Sequence, residues 1–181
     1  MEPIFQHPIT LEGSRIRLRD FAASDLDDVL EYSQDPLVTQ FTVWQPNDRS
    51  AAERFLQDAM AHTMATRRQT FILGIHHRAT GRIIGGARIT VRKPAHRLAD
   101  IGYVLHRQFW NHGLGTEAAR LLVQFGFETL HLHRIEATCD PANIGSRRVL
   151  EKAGFHLEGH LCEHLWIRGR GRDSLIFAVL E

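Results

Sequence analysis

Positions 100–125 decide the fold, and their sequence is DIGYVLHRQFWNHGLGTEAARLLVQF. The first part alternates between apolar residues and polar or small ones, which predicts a half-buried strand over 98–106. The last part repeats apolar residues at helical spacing, which predicts an amphipathic helix over 115–130. Because Gly113 and Gly115 stand between the two, we expect the chain to turn from the strand directly into the helix.

This glycine-containing turn has the properties of an anion site. Glycine lets the backbone come close to a ligand, and the first N–H groups of a helix have no partner inside the helix. The helix dipole adds about half a positive charge at the same end. The segment Trp110-Asn111-His112-Gly113-Leu114-Gly115-Thr116 is therefore a candidate for binding phosphate or pyrophosphate. It lacks the third glycine of the dinucleotide fingerprint and the Gly-Lys-Ser/Thr of a P-loop, so a purely structural turn is the alternative.

The remaining elements alternate between strands and helices. Strands are predicted at 14–20, 70–76, 82–92, 133–138, 160–168 and 173–180, and helices at 24–35, 50–63 and 143–153. Ser50 with Glu53 forms a possible capping box, and Gly169-Arg170-Gly171 suits a hairpin. This order predicts an α/β fold with a mostly antiparallel sheet of about seven strands, one parallel crossover and about four helices.

Composition limits the function classes. The 181 residues carry 22 Lys and Arg against 21 Asp and Glu, so charge gives no argument for a nucleic-acid or membrane partner. No apolar run approaches the ~20 residues that span a bilayer, and the first residues lack a secretion-signal pattern. We therefore expect a cytoplasmic protein, and a single domain over 1–181 because no linker-like segment interrupts the chain.

Cysteine and histidine patterns give no positive metal or disulfide signal. Cys139 and Cys162 are the two cysteines, and free structural thiols are expected for a chain of this size. His160 and His164 are close together, but no Cys-x-x-Cys or His-Glu-x-x-His motif accompanies the histidines. The sequence therefore predicts no metal site.

A second segment at 140–155, with the sequence DPANIGSRRVLEKAGF, follows the glycine helix after one strand. Together the two segments resemble the Gcn5-related N-acetyltransferases, the GNAT superfamily. The run Asp100-Ile101-Gly102-Tyr103-Val104-Leu105 with Phe109-Trp110, and the ending Leu165-Trp166-Ile167-Arg168 followed by Arg172-Asp173-Ser174, resemble its RimJ/RimL branch. The resemblance covers nearly the whole chain and is most specific over 100–155. It implies a GNAT fold with a splayed parallel pair of strands, acetyl-CoA as co-substrate, and direct acetyl transfer to a primary amine.

The resemblance also implies where acetyl-CoA binds. The pantetheine arm would add to the free edge of the strand that ends at Leu105, so Val104 and Leu105 would bond it through their backbones. The N–H near Leu105 would be the oxyanion donor for the thioester carbonyl. The glycine turn would hold the pyrophosphate, although Trp110 stands where the family usually has Gln or Arg, which removes one possible cation.

Two residues of the second segment complete the expected co-substrate site. Asn143 matches the family asparagine whose side-chain amide contacts the arm. Arg148, like its neighbour Arg147, is a candidate for contacts with the phosphates, and an exposed, solvated arginine is the alternative.

Acetyl transfer requires a neutral amine and a proton for the leaving thiolate. Many relatives use a tyrosine where this chain has Leu150, while RimL-like enzymes carry a serine at the position of Ser146. Ser146 is therefore the expected proton donor, with helix capping as the alternative. Asp100 aligns approximately with the acidic residue that many members place on this strand, and Glu136 on the next strand is the second candidate for the base. For Asp100 the alternative is a hydrogen bond to the backbone or an ion pair with Arg97, and for Glu136 it is a salt bridge across the sheet.

The acceptor is less well defined. By resemblance, Phe41, Trp44 and Trp166 are expected near the acceptor pocket, with core packing as the alternative. An α-amine has a reference pKa near 8, against about 10.4 for lysine, and so demands less of a weak base. This favours terminal amines or amino acids over lysine side chains. The name of the branch makes a protein N-terminal amine, a ribosomal one, the first candidate acceptor, and free amino acids, polyamines and amine-bearing antibiotics are the alternatives. A homodimer is common among relatives, and a non-catalytic acyl-CoA-binding protein is the alternative function.

Overall fold

The computed structural model describes residues 8–43 and 48–181. The strands are β1 (Thr10–Glu12), β2 (Ile16–Asp20), β3 (Thr70–His77), β4 (Ile83–Lys93), β5 (Leu98–Leu105), β6 (Arg134–Cys139), β7 (His156–Ile167) and β8 (Arg170–Leu180). The helices are α1 (Leu26–Ser33), α2 (Pro36–Thr39), α3 (Arg49–Thr63), α4 (Leu114–Gln124) and α5 (Ile144–Lys152). None of the helices in these two ranges is both long and apolar enough to cross a membrane.

All eight strands form one sheet in the order β1-β2-β3-β4-β5-β6-β8-β7. Every neighbouring pair is antiparallel except β5 and β6. These two strands pair only from Leu98 with Arg134 to Asp100 with Glu136, whereas both continue further along the chain. The pairing therefore ends half-way and leaves a gap between the C-terminal halves of β5 and β6.

The predicted mixed sheet with one parallel pair is confirmed. It has eight strands rather than about seven because the three-residue β1 is too short to show a periodic pattern. It has five helices rather than about four because the segment after α1 forms the four-residue α2. Helix α4 connects β5 to β6, as the strand–turn–helix pattern at 100–125 predicts.

Helices cover both faces of the sheet. The alternation of side chains along β3 places Phe71, Leu73 and Ile75 in one hydrophobic cluster and Ile72 against a second. Helices α4 and α5 contribute to the first cluster, whereas α1 and α3 contribute to the second. The gap between β5 and β6 consequently lies beside the α4 and α5 layer.

The starts of α2 and α3 differ from the predictions. Asp35 was expected to end the first helix, but its carboxylate accepts the N–H of Leu37 at 2.9 Å and begins α2. Asp48 accepts the N–H of Ala51 at 2.7 Å and begins α3, so Ser50 lies within the first turn rather than at the cap. Aspartate is as good an N-cap as serine, and sequence alone did not separate these neighbouring candidates.

The predicted hairpin near the end of the chain is present between β7 and β8. Its two-residue turn consists of Arg168 and Gly169, with φ angles of 52° and 76°, one residue earlier than the glycine pattern suggested. Positive φ at both central positions is the requirement of a type I′ turn, which matches the twist of the flanking strands.

Candidate active site

A cavity of about 680 Å³ occupies the gap between β5 and β6. Its walls come from the second half of β5, the end of β6, the glycine turn with the first turn of α4, and the N-terminal half of α5. The volume lies within the range of pockets that bind cofactors and small molecules. The two segments singled out in the sequence, the glycine turn and 140–155, therefore meet at one cavity.

The glycine turn leaves the start of α4 open toward this cavity. Gly113 is the N-cap residue with a φ of 77°, a conformation that favours glycine, and it supplies no side-chain cap. Leu114, Gly115 and Thr116 form the first turn of α4, and all three line the cavity. Their backbone N–H groups have no acceptor within the helix and can donate hydrogen bonds to a bound anion.

Arg15 supports the turn from behind. Its Nη1 donates to the carbonyl of His112 at 2.6 Å, and its Nε pairs with Glu117 at 2.9 Å. His112 does not line the cavity, and its carbonyl holds the turn. Its expected contact with the co-substrate therefore stays a prediction. Burial tends to raise the pKa of Glu117, but hydrogen bonds from Arg15 and from the backbone N–H of Ile16 lower it overall.

Trp110 and Asn111 form the entrance to the turn, and both line the cavity. The indole Nε1 of Trp110 donates to the carbonyl of Leu105 at 2.7 Å. Asn111 has a φ of 62°, which a short polar side chain tolerates better than most. Trp110 therefore ties the end of β5 to the turn, which is a contact that the sequence did not predict.

The direction of the β5 backbone corrects one assignment. The N–H of His106 donates to the carbonyl of Ile84, so the alternation of an antiparallel ladder turns the backbone of Val104 toward β4. The same alternation turns Tyr103 and Leu105 toward the gap. Val104 is among the residues that line the cavity but turns its N–H and C=O away from a ligand there, whereas Leu105 can offer its N–H.

Asn143, Ser146 and Tyr103 meet inside the cavity. The side-chain oxygen of Asn143 accepts the N–H of Ser146 at 3.0 Å and caps α5, which leaves the Asn143 amide group available as a donor. The hydroxyl oxygens of Tyr103 and Ser146 lie 3.0 Å apart. The sequence placed Tyr103 only on a strand face, and its alternation with Ile101 and Leu105 was the signal that it shares their side of the strand.

Burial raises the pKa of Tyr103, so this phenol stays protonated. Burial also raises the pKa of Cys139 to about 11, with a further contribution from the neighbouring Asp140. Cys139 lines the cavity, but a protonated thiol is a poor nucleophile. The site thus offers two hydroxyl groups that can donate protons and a thiol that is not activated.

Two cations of α5 line the cavity. Arg148 and Lys152 are four residues apart and so share a face of the helix, which is the spacing by which Lys152 could have been predicted. Arg147 instead pairs with Glu151 at 2.8 Å and does not line the cavity. Leu150 is buried and lines the cavity wall, so the position where many relatives have a tyrosine carries no hydroxyl group here.

Asp100 and Glu136 lie outside the cavity lining. Asp100 pairs with Arg88 at 2.5 Å and also with Arg92, and Glu136 pairs with Arg134 at 2.9 Å. Both carboxylates sit where β5 and β6 are still paired, before the strands separate. The geometry does not support either residue as the base. Both carboxylates are ion-paired, but Asp100 pairs with arginines of β4 instead of Arg97, and Glu136 pairs with an arginine of its own strand.

The three residues expected near the acceptor pocket have different outcomes. Phe41 lines the cavity. Trp166 does not line it, and its side chain is 76% exposed. Neighbouring side chains of a strand point to opposite faces, and Trp166 lies on the face that is open to solvent. Trp44 lies outside the residues that the structure describes.

Three metal-type ligands converge away from the cavity, on the β7–β8 hairpin. One ligand atom each from His160, Cys162 and Asp173 lies within 4.8 Å of the others, and His160 already pairs with Asp173 at 2.7 Å. The sequence did not indicate this cluster because Asp173 comes from the facing strand rather than from a local motif.

Comparison with known proteins identifies the family. The model of the acetyltransferase (GNAT) domain matches residues 15–156, and the chain belongs to this family. It is an N-acetyltransferase, and the co-substrate of the family is acetyl-CoA.

Alignments with similar proteins extend over almost the whole chain. The uncharacterized N-acetyltransferase p20 of Bacillus licheniformis is 32% identical over 173 residues, which is 95% of this chain and 96% of that protein. The spermidine N(1)-acetyltransferase of Escherichia coli K12 is 24% identical over 166 residues, covering 92% and 86%. The crystal structure of a GNAT-family acetyltransferase from Bacillus anthracis superposes with a TM-score of 0.84 at 24% identity, over 95% of this chain and 98% of that one.

Proposed function

We propose that this enzyme transfers an acetyl group from acetyl-CoA directly to a primary amine, with both substrates bound together. The observation that carries the proposal is the continuity of one cavity. It extends from the uncapped start of α4, along the free edge of β5, to the hydroxyl groups of Tyr103 and Ser146. Such a cavity matches a ligand with phosphates at one end and a reactive carbonyl at the other.

Residues at the phosphate end are suited to bind the co-substrate. The N–H groups of Leu114, Gly115 and Thr116 would hold the pyrophosphate, and Arg148 and Lys152 would add positive charge. These two cations would supply positive charge that Trp110 does not, since it stands where the family usually has Gln or Arg.

Along the arm, the edge of β5 would offer the backbone groups of Tyr103, while the Asn143 amide would donate from the opposite wall. The N–H of Leu105 is the proposed donor to the thioester oxygen, because it faces the gap and its own carbonyl is already bonded to Trp110.

We propose that Ser146 donates the proton that the departing thiolate accepts. Its hydroxyl is in the cavity and is held by Tyr103, whose raised pKa keeps a proton on the phenol. The neutral thiol of Cys139 argues against a covalent acetyl-enzyme.

Asp140 is our candidate for receiving the proton of the acceptor ammonium, through water. It replaces Asp100 and Glu136 in this role because, among the described residues, it is the only carboxylate that lines the cavity. A distant weak base is sufficient for an α-amine, whose reference pKa is near 8. We therefore propose an α-amine or a small primary amine as acceptor, with a protein N-terminus as the first candidate.

Release of free CoA thiol in the presence of a panel of amines tests the proposal. We expect turnover with at least one primary amine and a fall in kcat of about 100-fold in Ser146→Ala, with Ser50→Ala as an unaffected surface control. Asp140→Asn should lower kcat while Asp100→Asn leaves it unchanged. Tight binding of CoA without turnover of any amine by the wild-type enzyme would instead indicate a non-catalytic acyl-CoA-binding protein.

A further inference from the structure

A second cavity of about 340 Å³ adjoins the first. Phe41, Asp140 and Arg172 line both cavities, so the second opens next to the acceptor end of the first. The polar part of its lining consists mainly of arginines from the β7–β8 hairpin, Arg168, Arg170 and Arg172. With Asp140 as the one carboxylate on the described lining, three positive charges and one negative charge leave a net charge of +2.

The protein provides hydrogen-bond acceptors for only some of the N–H groups of these arginines. Arg172 donates through Nη1 to the carbonyl of Phe41 at 2.7 Å. Its Nε is buried, makes no hydrogen bond with any described residue, and lies 3.7 Å from Asp140, beyond hydrogen-bond distance. Arg168 donates to the carbonyl of Thr39 at 3.1 Å. Neutral carbonyls accept these hydrogen bonds but do not balance the charges.

The guanidinium of Arg170 differs from the other two in its polar contacts. Within 8–43 and 48–181 no residue forms an ion pair or a hydrogen bond with its guanidinium. Arg168 and Arg172 can be explained as anchors of the end of α2 and of the segment that follows it, since they bond carbonyls there, but this explanation does not extend to Arg170. An exposed guanidinium that lines a cavity beside two others is a feature of sites that bind oxyanions.

We propose that this second cavity binds an anionic group, a carboxylate or a phosphate, on the acceptor whose amine is acetylated in the first cavity. This inference rests on the proposed function and defines its substrate class. Carboxylate and phosphate match the fork of donors on a guanidinium, and the exposed guanidinium of Arg170 is available to receive one. Asp140, on the boundary between the cavities, lies where the positively charged amine of the same acceptor would enter.

The same charges disfavour polyamines. A second or third ammonium group on the acceptor would be repelled by a lining with a net charge of +2. One relative is named a spermidine N(1)-acetyltransferase. This chain should therefore differ from that relative in acceptor choice, although the two share most of their length.

Matched amine pairs provide the test. Initial rates of CoA release should be compared for 2-aminoethyl phosphate against ethanolamine, for amino acids against their amides, and for spermidine. We expect kcat/KM to be about tenfold or more higher for the anionic member of at least one pair. Arg170→Gln should raise KM for that acceptor with little change in kcat, and Arg170→Glu should raise it further. Arg54→Gln, an exposed arginine on α3, is the matched control.

The outcomes separate the two proposals. Absence of turnover with every amine overturns the proposed function itself. Turnover that is equal for anionic and neutral members, or a preference that persists unchanged in Arg170→Glu, overturns the second site while the acetyltransferase function stands. The phosphate pair and the carboxylate pair distinguish which oxyanion the cavity prefers.

Discussion

The hydroxyl oxygen of Ser146 lies 3.0 Å from the phenolic oxygen of Tyr103, and the two residues come from α5 and β5 on opposite sides of the cavity. The phenol is also 3.2 Å from the carbonyl of Ser146, to which it can donate. When Tyr103 donates to that carbonyl, the Ser146 proton points to the phenol. When Tyr103 donates to the Ser146 hydroxyl instead, the serine proton is free to point toward a leaving thiolate. Tyr103 therefore controls the orientation of the proposed donor.

The first prediction concerns this contact. Tyr103→Phe removes the phenol and should lower kcat about fivefold, because a neutral hydrogen bond contributes about 1 kcal/mol. KM for acetyl-CoA should change little, since the Tyr103 backbone is retained. Steady-state kinetics should also show that Tyr103→Phe combined with Ser146→Ala is no slower than Ser146→Ala alone. Additive losses in the double variant would mean that Tyr103 acts independently of Ser146.

The second prediction concerns two adjacent glycines on β4. A Cβ on Gly85 would lie 2.2 Å from the carbonyl oxygen of Val104 and 3.0 Å from the Cα of Leu105, both backbone atoms of the cavity wall. A Cβ on Gly86 would meet nothing closer than 3.6 Å. Gly85→Ala should therefore lower the free energy of unfolding by about 2–3 kcal/mol and raise KM for acetyl-CoA, because β5 must shift.

Gly86→Ala is the matched control and should stay within about 1 kcal/mol of the wild-type stability. Urea unfolding monitored by circular dichroism measures both variants. If the two substitutions have equal effects, the close approach of Gly85 to β5 is not a determinant of the cavity.

Local patterns predicted the parts of the site that depend on local geometry. The glycine turn follows from residue types that fix a backbone conformation. Asn143 was expected in the site only through the resemblance to the family, and its role as the cap of α5 was seen only in the structure. The separation of β5 and β6, which makes the cavity, was expected only through the resemblance to the GNAT family. No periodic pattern in a sequence indicates where the hydrogen bonding between two parallel strands ends.

Long-range pairing explains what the sequence did not reveal. Asp100 is acidic and lies on the expected strand, but its partners Arg88 and Arg92 belong to the neighbouring β4, so its ion pairs depend on sheet register. Arg170 and Asp140 are distant in sequence and meet only because β8 inserts between β6 and β7. Charged partners on neighbouring strands could therefore be identified only from the structure.

The last prediction uses the pH dependence of Glu117. This carboxylate accepts the N–H of Arg15 at 2.8 Å and pairs with its side chain, and thereby connects the turn before β2 to α4. Its pKa is lowered from the usual glutamate value of 4.5, so the folded state favours the ionised form. A lowered folded-state pKa contributes stability above the unfolded-state pKa, and this contribution is lost as the pH falls through the folded-state value.

Glu117→Gln should therefore be less stable than the wild type at pH 7, by about 1–2 kcal/mol, because charge-assisted hydrogen bonds are lost from a side chain that is only 14% exposed. The difference should shrink as the pH is lowered below 4.5, where the wild-type carboxylate becomes protonated too. Urea unfolding at several pH values measures it, with the exposed Glu53→Gln as a control that shows little effect at any pH. A difference that is the same at pH 7 and at about pH 3.5 would show that Glu117 acts through packing rather than through its charge.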